Sequence, residues 1–331
     1  MSNPRILITG ALGQIGRVLA RRLTALHGPG SVLATDLAAE PTDFPLPYQQ
    51  LDATDAESWR ALCAAHEFEQ IYHLVAVLSA KGEADPWRSW EINMQSWRLV
   101  LDCARSNPGC RVFFPSSIAV YGPPLPRSVD ESQVLTPTSS YGISKAAGEL
   151  WGKYCREHYG VDVRCLRLPG VIGYETLPGG GTTDYAVHIF HAANAGERFS
   201  CFLGPDTRLP MIYMDDLIRG IIEFMAVAPE VLAKAEMDVA TGLGATFNLA
   251  GFSVTPAELY AAIAREVPGF AIEYAPDFRQ HIADSWPAEL DGTAASRAWG
   301  WTPKFDCEAT VSAMLRGVAQ TRPKRAISPT P

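Results

Sequence analysis

With 331 residues the chain is long enough to bury a large core, either in two domains or in one domain with an appended lobe. Its 47% hydrophobic and 19% charged residues are ordinary for a folded soluble protein, and a formal charge of −8 with six scattered lysines argues against a phosphate-backbone partner. The longest apolar stretch, residues 71–80, is interrupted by His73 and falls far short of the ~18 residues needed to cross a bilayer, so neither nucleic acid nor membrane is expected.

No leader is visible between Met1 and the strand-like stretch at 5–10, and the seven cysteines are odd in number with no Cys-x-x-Cys pair. A disulfide framework and a zinc ribbon are therefore not expected, and the reading is a cytoplasmic protein in a reducing compartment.

In chain order, β-rich runs at 5–10, 31–36, 70–76, 111–117 and 162–168 alternate with amphipathic stretches at 14–26, 55–66, 86–105 and 142–159. Strands joined by helical crossovers predict an α/β protein with a doubly wound parallel sheet covered on both faces. Beyond residue 170 the pattern loosens into Gly- and Pro-rich loops, with helices predicted near 184–195, 214–227, 255–266 and 308–319 and one more strand at 246–251. The expected division is a dinucleotide-binding domain over 1–170 with 214–251 rejoining it, and a smaller interleaved lobe made of 171–213 and 252–320. The Pro-rich residues 321–331 read as a disordered tail.

The first strand runs into Gly10-Ala11-Leu12-Gly13-Gln14-Ile15-Gly16, which opens the first helix. Glycines there let the backbone turn tightly against a pyrophosphate, whose charge is stabilised by the free N–H groups and dipole of the helix N-terminus. The second strand ends in Asp36, twenty residues after Gly16 and placed to accept from ribose hydroxyls; Leu37, where NADP would favour arginine, points to NAD. Asp52 is placed either to reach the adenine edge or to cap the following helix.

Tyr141 and Lys145 stand four residues apart, on one helix face. A phenol must lose ~3 pKa units to act as a base near neutrality, about 4 kcal/mol, and an ammonium at ~4 Å with an effective dielectric of ~20 supplies that amount. Strand 111–117 delivers Ser116 and Ser117 to the carboxyl edge of the sheet, where open α/β sheets bind ligands.

This combination of glycine turn, Tyr-x-x-x-Lys pair and strand-end serine resembles the extended short-chain dehydrogenase/reductase family, with its sugar-nucleotide epimerases and dehydratases. The resemblance covers nearly the whole chain and implies a Rossmann-type fold. It also implies that Gly10, Gly13, Gln14, Ile15 and Gly16 hold the pyrophosphate, Asp36 and Leu37 the ribose, and Asp52 and Ala53 the adenine. Leu74, Ala76, Leu168 and Val171 would line the cofactor, Lys145 would bind the nicotinamide ribose, Tyr141 would be the acid/base, and Ser117 would hold the substrate hydroxyl, with Ser116 as second choice. The helices near 86–105 and 142–159, the first carrying Trp87, Trp90 and Trp97, would pair two subunits in a homodimer.

Within that family the segments 72–86, 115–126, 178–187 and 276–287 look like the branch that oxidises the L-threonine side-chain hydroxyl with NAD to 2-amino-3-oxobutanoate. Residues 178–187, Pro-Gly-Gly-Gly-Thr-Thr-Asp-Tyr-Ala-Val, fit an α-amino acid. The N–H groups of Gly180 and Gly181 would nest its carboxylate, Thr182, Thr183 and Ser79 add hydroxyls, and Asp184 pairs with the ammonium. Segments around 166–173 and 287–301 depart from that branch, which leaves another 3-hydroxy amino acid as an alternative substrate. A sugar-nucleotide epimerase is the second alternative, with Arg208, Arg279 and Arg297 as candidates to hold a diphosphate. His188 and His191 read as helix-face residues rather than a metal pair, and no metal is expected.

Overall fold

The computed structural model describes residues 5–42, 44–238 and 242–321. Seven strands build the central sheet: β1 (Ile6–Thr9), β2 (Val32–Asp36), β3 (Tyr48–Gln50), β4 (Gln70–His73), β5 (Arg111–Ser117), β6 (Asp162–Leu168) and β7 (Thr246–Asn248). Their order is β7-β6-β5-β4-β1-β2-β3, and every neighbouring pair is parallel. All four residues of β1 are buried, as expected of a central parallel strand covered on both faces. The direction of winding reverses between β1 and β4, which opens a crevice at the carboxyl ends of those strands.

Helices α1 (Gln14–His27), α2 (Ala56–Ala65), α3 (Pro86–Arg105) and α4 (Ser140–Tyr159) cross between these strands. Asp55 caps α2 by accepting from the N–H groups of Glu57 and Ser58, Ser139 caps α4 by accepting from Gly142 N–H, and α4 ends at Gly160 in the left-handed conformation. Helix α5 (Tyr185–Ala195) belongs to a second core built around Tyr185, Phe190, Leu203, Met211 and Met314. A three-stranded sheet of 170–172, 209–213 and 252–254 lies there. Helix α6 (Met214–Ala226) instead buries Leu217, Ile221 and Phe224 with Val18 and Leu23 of α1 against the main sheet.

The Rossmann-type architecture and the return of 246–248 to the sheet match the sequence expectation. Three differences have physical causes. The strand expected over 70–76 ends at His73, because residues 74–78 turn away to line the crevice. Helices at Pro229–Asp238, Arg279–Asp284 and Thr293–Trp299 carry too few turns for a periodicity to stand out in sequence. Cys63 of α2 and Cys103 of α3 are joined in a disulfide, which a count of cysteines did not anticipate; Cys110, Cys155, Cys165, Cys201 and Cys307 are free. The tail expected to be disordered lies, from residue 322, outside the described residues, as do residues 239–241 of the link before β7.

Candidate active site

A cleft of about 480 Å³ follows the carboxyl edge of the sheet from the glycine turn to the second core. At one end, Gly10 has φ +70° and a Cβ on Gly16 would lie 2.3 Å from the carbonyl oxygen of Gly10, so only glycine closes this turn. Gly13 precedes α1 without a side-chain cap, and among the described residues the buried Gln14 Nε2 has no partner. These features fit an anionic dinucleotide. Asp36 accepts from Leu12 N–H at 3.0 Å, which fixes its carboxylate beside the turn. Leu37 is exposed.

Asp52 accepts from the N–H and hydroxyl of Thr54 at 2.8 and 2.7 Å, so it closes a local turn, while the helix cap is Asp55. The capping alternative for Asp52 is thereby corrected. Ala53 is buried beside it, and neither lines the cleft. Leu74, Ala76, Leu168 and Val171 all do.

In the middle of the cleft, α4 lies hard against the chain that leaves β5. A Cβ on Gly142 would sit 2.1 Å from the Ala119 carbonyl oxygen, so the glycine after Tyr141 permits the approach that sets Tyr141 beside Ser117. Tyr141 and Ser117 line the cleft together, where the Ser117 hydroxyl favours the phenolate of Tyr141 and itself accepts from Ala119 N–H at 3.2 Å. The Ser116 hydroxyl points elsewhere and donates to Glu149, although Ser116 also borders the cleft. Lys145 is 4% exposed, and its Nζ donates to the Pro115 carbonyl at 2.7 Å, 5.5 Å from the centre of the Tyr141 ring.

The electrostatics correct one expectation. Burial pushes the Tyr141 phenol up to about 12, opposed by the Ser117 hydrogen bond, and Lys145 is not among the causes. Burial in turn pulls Lys145 down to about 8, opposed by Cys165 and Glu149. The ammonium faces a backbone carbonyl instead of the phenol oxygen, so the chain alone does not make Tyr141 a phenolate near neutrality.

At the far end, the segment 178–187 meets the single helical turn Ser79–Gly82. Ser79 Oγ lies 3.0 Å from Thr182 Oγ1 and accepts from Thr182 N–H at 3.2 Å, with both residues buried. Thr183 lines the cleft. The N–H groups of Gly180 and Gly181 both donate to Asp184 Oδ2, at 2.9 and 2.7 Å. This corrects the expected nest, since those two amides already hold the chain's own carboxylate. Burial raises the Asp184 pKa, against those two bonds and the charges of His188 and Arg279.

Sequence reasoning missed Thr176 and Trp286 in the cleft wall. Thr176 Oγ1 is a buried atom without a partner among the described residues, and Trp286 sits in the bend that follows the helix Arg279–Asp284, more than a hundred residues beyond Tyr141, so no local pattern joins either to the site. Arg208, Arg279 and Arg297 are absent from the cleft: Arg208 pairs with Glu258, Arg279 with Asp277, and Arg297 borders a different surface cavity. Among the described residues, no group of three or more His, Cys, Asp or Glu is arranged to hold a metal, and no helix is long and apolar enough to cross a membrane.

The reversed winding and the cleft at the switch point define a Rossmann-type α/β protein with a dinucleotide-shaped groove beside a Tyr/Lys/Ser cluster. Residues 6–239 match the model of the NAD dependent epimerase/dehydratase family, and the chain belongs to that family. It is similar to the mitochondrial L-threonine 3-dehydrogenase of Sus scrofa, with 40% identity over 95% of this chain and 82% of that protein. It is also similar to the solved holo form of a GalE-like L-threonine dehydrogenase from Cupriavidus necator, at 44% identity and a TM-score of 0.89 over 95% and 100% of the two chains. A UDP-glucose 4-epimerase from Thermotoga maritima shares the fold at a TM-score of 0.81, with 21% identity over 96% of this chain and 99% of the other.

Proposed function

We propose that this protein oxidises the 3-hydroxyl of L-threonine to give 2-amino-3-oxobutanoate, with NAD as the cofactor. The observation that carries the reading is the cleft itself, which sets Tyr141 and Ser117 between a dinucleotide turn and a pocket of Ser79, Thr182, Thr183 and Asp184. Gly10, Gly13, Gln14, Ile15 and Gly16 would hold the pyrophosphate, Asp36 the ribose and Lys145 the nicotinamide ribose, with Leu74, Ala76, Leu168 and Val171 against the rings. Bound there, NAD supplies the hydride acceptor and a positive charge.

Ser117 orients the substrate hydroxyl and Tyr141 takes its proton; the nearby cationic charge must offset the burial that holds the phenol protonated. Asp184 receives the ammonium group, while the Ser79 and Thr182 hydroxyls and Thr183 face the carboxylate. NAD is preferred to NADP because the Asp36 carboxylate, held by Leu12 N–H, repels a 2′-phosphate. The cleft's lack of arginine favours an amino acid over a nucleotide sugar. Another 3-hydroxy amino acid stands as the second reading, since Leu168 in the divergent segment borders the cleft.

The same reading includes a homodimer through α3 and α4, supported by the exposed Trp87, Leu150, Trp151 and Tyr154; Trp97 by contrast is core, donating to the Gly148 carbonyl at 3.1 Å. It also includes a cytoplasmic location, which the five free thiols favour and the Cys63–Cys103 disulfide opposes; cell fractionation into an oxidising compartment would contradict it. Tyr141→Phe tests the chemistry: kcat is expected to fall by a factor of ~10² to 10⁴ with the fold intact, and near-full turnover would overturn the assignment.

A further inference from the structure

Behind the Tyr141–Ser117 pair lies a buried ion pair that the chemistry above does not use. Lys145 follows Tyr141 by one turn of α4 and Glu149 follows Lys145 by another, so the three form one stripe. The side chains of Glu149 and Arg167 are both 0% exposed, and they meet through two parallel contacts, Nε to Oε1 at 2.9 Å and NH2 to Oε2 at 2.8 Å. Arg167 of β6 is the register partner of Ser116 on β5, and Glu149 accepts the Ser116 hydroxyl. Arg167 also donates to the Tyr121 hydroxyl at 2.8 Å, and that hydroxyl donates to Asn248 Oδ1 on β7 at 2.7 Å.

Burying two charges costs several kcal/mol of desolvation each, and an apolar pair of similar volume would hold α4 on β6 as well. The surroundings of Lys145 show what the charge is for. From β6 it faces Cys165, whose thiol is pushed up to about 12 by burial and is neutral at working pH. From β4 it faces His73, which burial pulls down to about 3 and which is also neutral. On its own helix Tyr141 is protonated. Glu149 is the remaining negative group, and Arg167 fixes where it points.

We propose that Glu149, clamped by Arg167, is a positioning residue for the reaction: it keeps Lys145 charged in the cleft and, through Ser116, holds the end of β5 where Ser117 meets Tyr141. The proposal rests on the reading that Tyr141 and Lys145 carry the proton transfer.

The test is a pH titration of the six lysines by ¹³C NMR of lysine-labelled enzyme, with Lys145 assigned by the signal lost in Lys145→Met. In Glu149→Gln, Lys145 is expected to lose its proton at a pH lower by about 1 unit or more than in the parent, and the alkaline limb of kcat/KM moves with it. The pair of substitutions Glu149→Leu with Arg167→Met keeps the volume without the charges and is expected to fold and to give a smaller shift in the same direction, because the Arg167 charge leaves with that of Glu149. Glu149→Asp restores the parent titration, and Ser116→Ala lowers kcat without moving it. A Lys145 titration unchanged in the folded charge-free variants would overturn the proposal. The titration is read without substrate, so a parent enzyme inactive on L-threonine would strike the functional reading and leave this measurement standing.

Discussion

The hydroxyls of Ser79 and Thr182, 103 residues apart in the chain, lie 3.0 Å from each other at the substrate end of the cleft. Because each buried hydroxyl is the other's partner, Ser79→Ala and Thr182→Val should not act independently. Either change is expected to raise the KM for the amino acid by ~5- to 10-fold, and the double variant by less than the product. Steady-state kinetics of the cycle check this; strictly additive effects would mean that the two hydroxyls do not act as one unit.

Gly142 sets the distance between helix and strand end. In Gly142→Ala the new Cβ meets the Ala119 carbonyl at 2.1 Å, and α4 must retreat. Overpacking of this kind costs ~1–3 kcal/mol of stability, and kcat is expected to fall further than stability alone explains, because Tyr141 leaves Ser117. Thermal unfolding and kinetics measured together would show the two effects; full activity in the variant would contradict the close approach.

With Asp184 holding the ammonium group, as proposed, the site is expected to show an acid limb. Its pKa is raised above 3.8, first by burial, and it pairs with an ammonium only when ionised, so kcat/KM falls as pH drops through that raised value. Stability runs the other way. Between the unfolded and the raised folded pKa the native state keeps a proton that the unfolded chain has lost, so stability declines as pH rises across that window. Asp184→Asn is expected to raise the KM by ~10- to 100-fold and to abolish the acid limb. An acid limb that survived the substitution would belong to another group.

In the proposed homodimer the exposed apolar face of α4 would carry the subunit contact. Leu150 and Trp151 are 56% and 52% exposed, so replacing both by glutamate is expected to convert a dimer into a monomer. Sedimentation of the parent and the variant decides it, and a parent that is already monomeric would remove the dimer from the account.

What the sequence made legible was local. The glycine turn, the Tyr141/Lys145 spacing and the alternation of strand and helix are written in neighbouring residues, and the sheet followed from them. Contacts closing over long separations were less so: Trp286 on the cleft wall and the disulfide of Cys63 with Cys103 depend on how crossovers pack, whereas the meeting of Ser79 with Thr182 was expected only through the resemblance. The Gly180 and Gly181 amides were expected to hold a substrate carboxylate, and nothing in their spacing said that Asp184 would be their acceptor. The predicted effect of Lys145 on Tyr141 failed for a related reason, since helical spacing fixes a shared face and not where an ammonium finds its acceptor, here the Pro115 carbonyl.

The most direct test of the central claim is the appearance of NADH absorbance when the purified protein meets L-threonine and NAD. Steady NADH formation is expected with L-threonine, far less with serine, little with NADP in place of NAD, and a rate lower by ~10² to 10⁴ in Tyr141→Phe. No NADH with any 3-hydroxy amino acid, together with interconversion of a UDP-sugar, would contradict it.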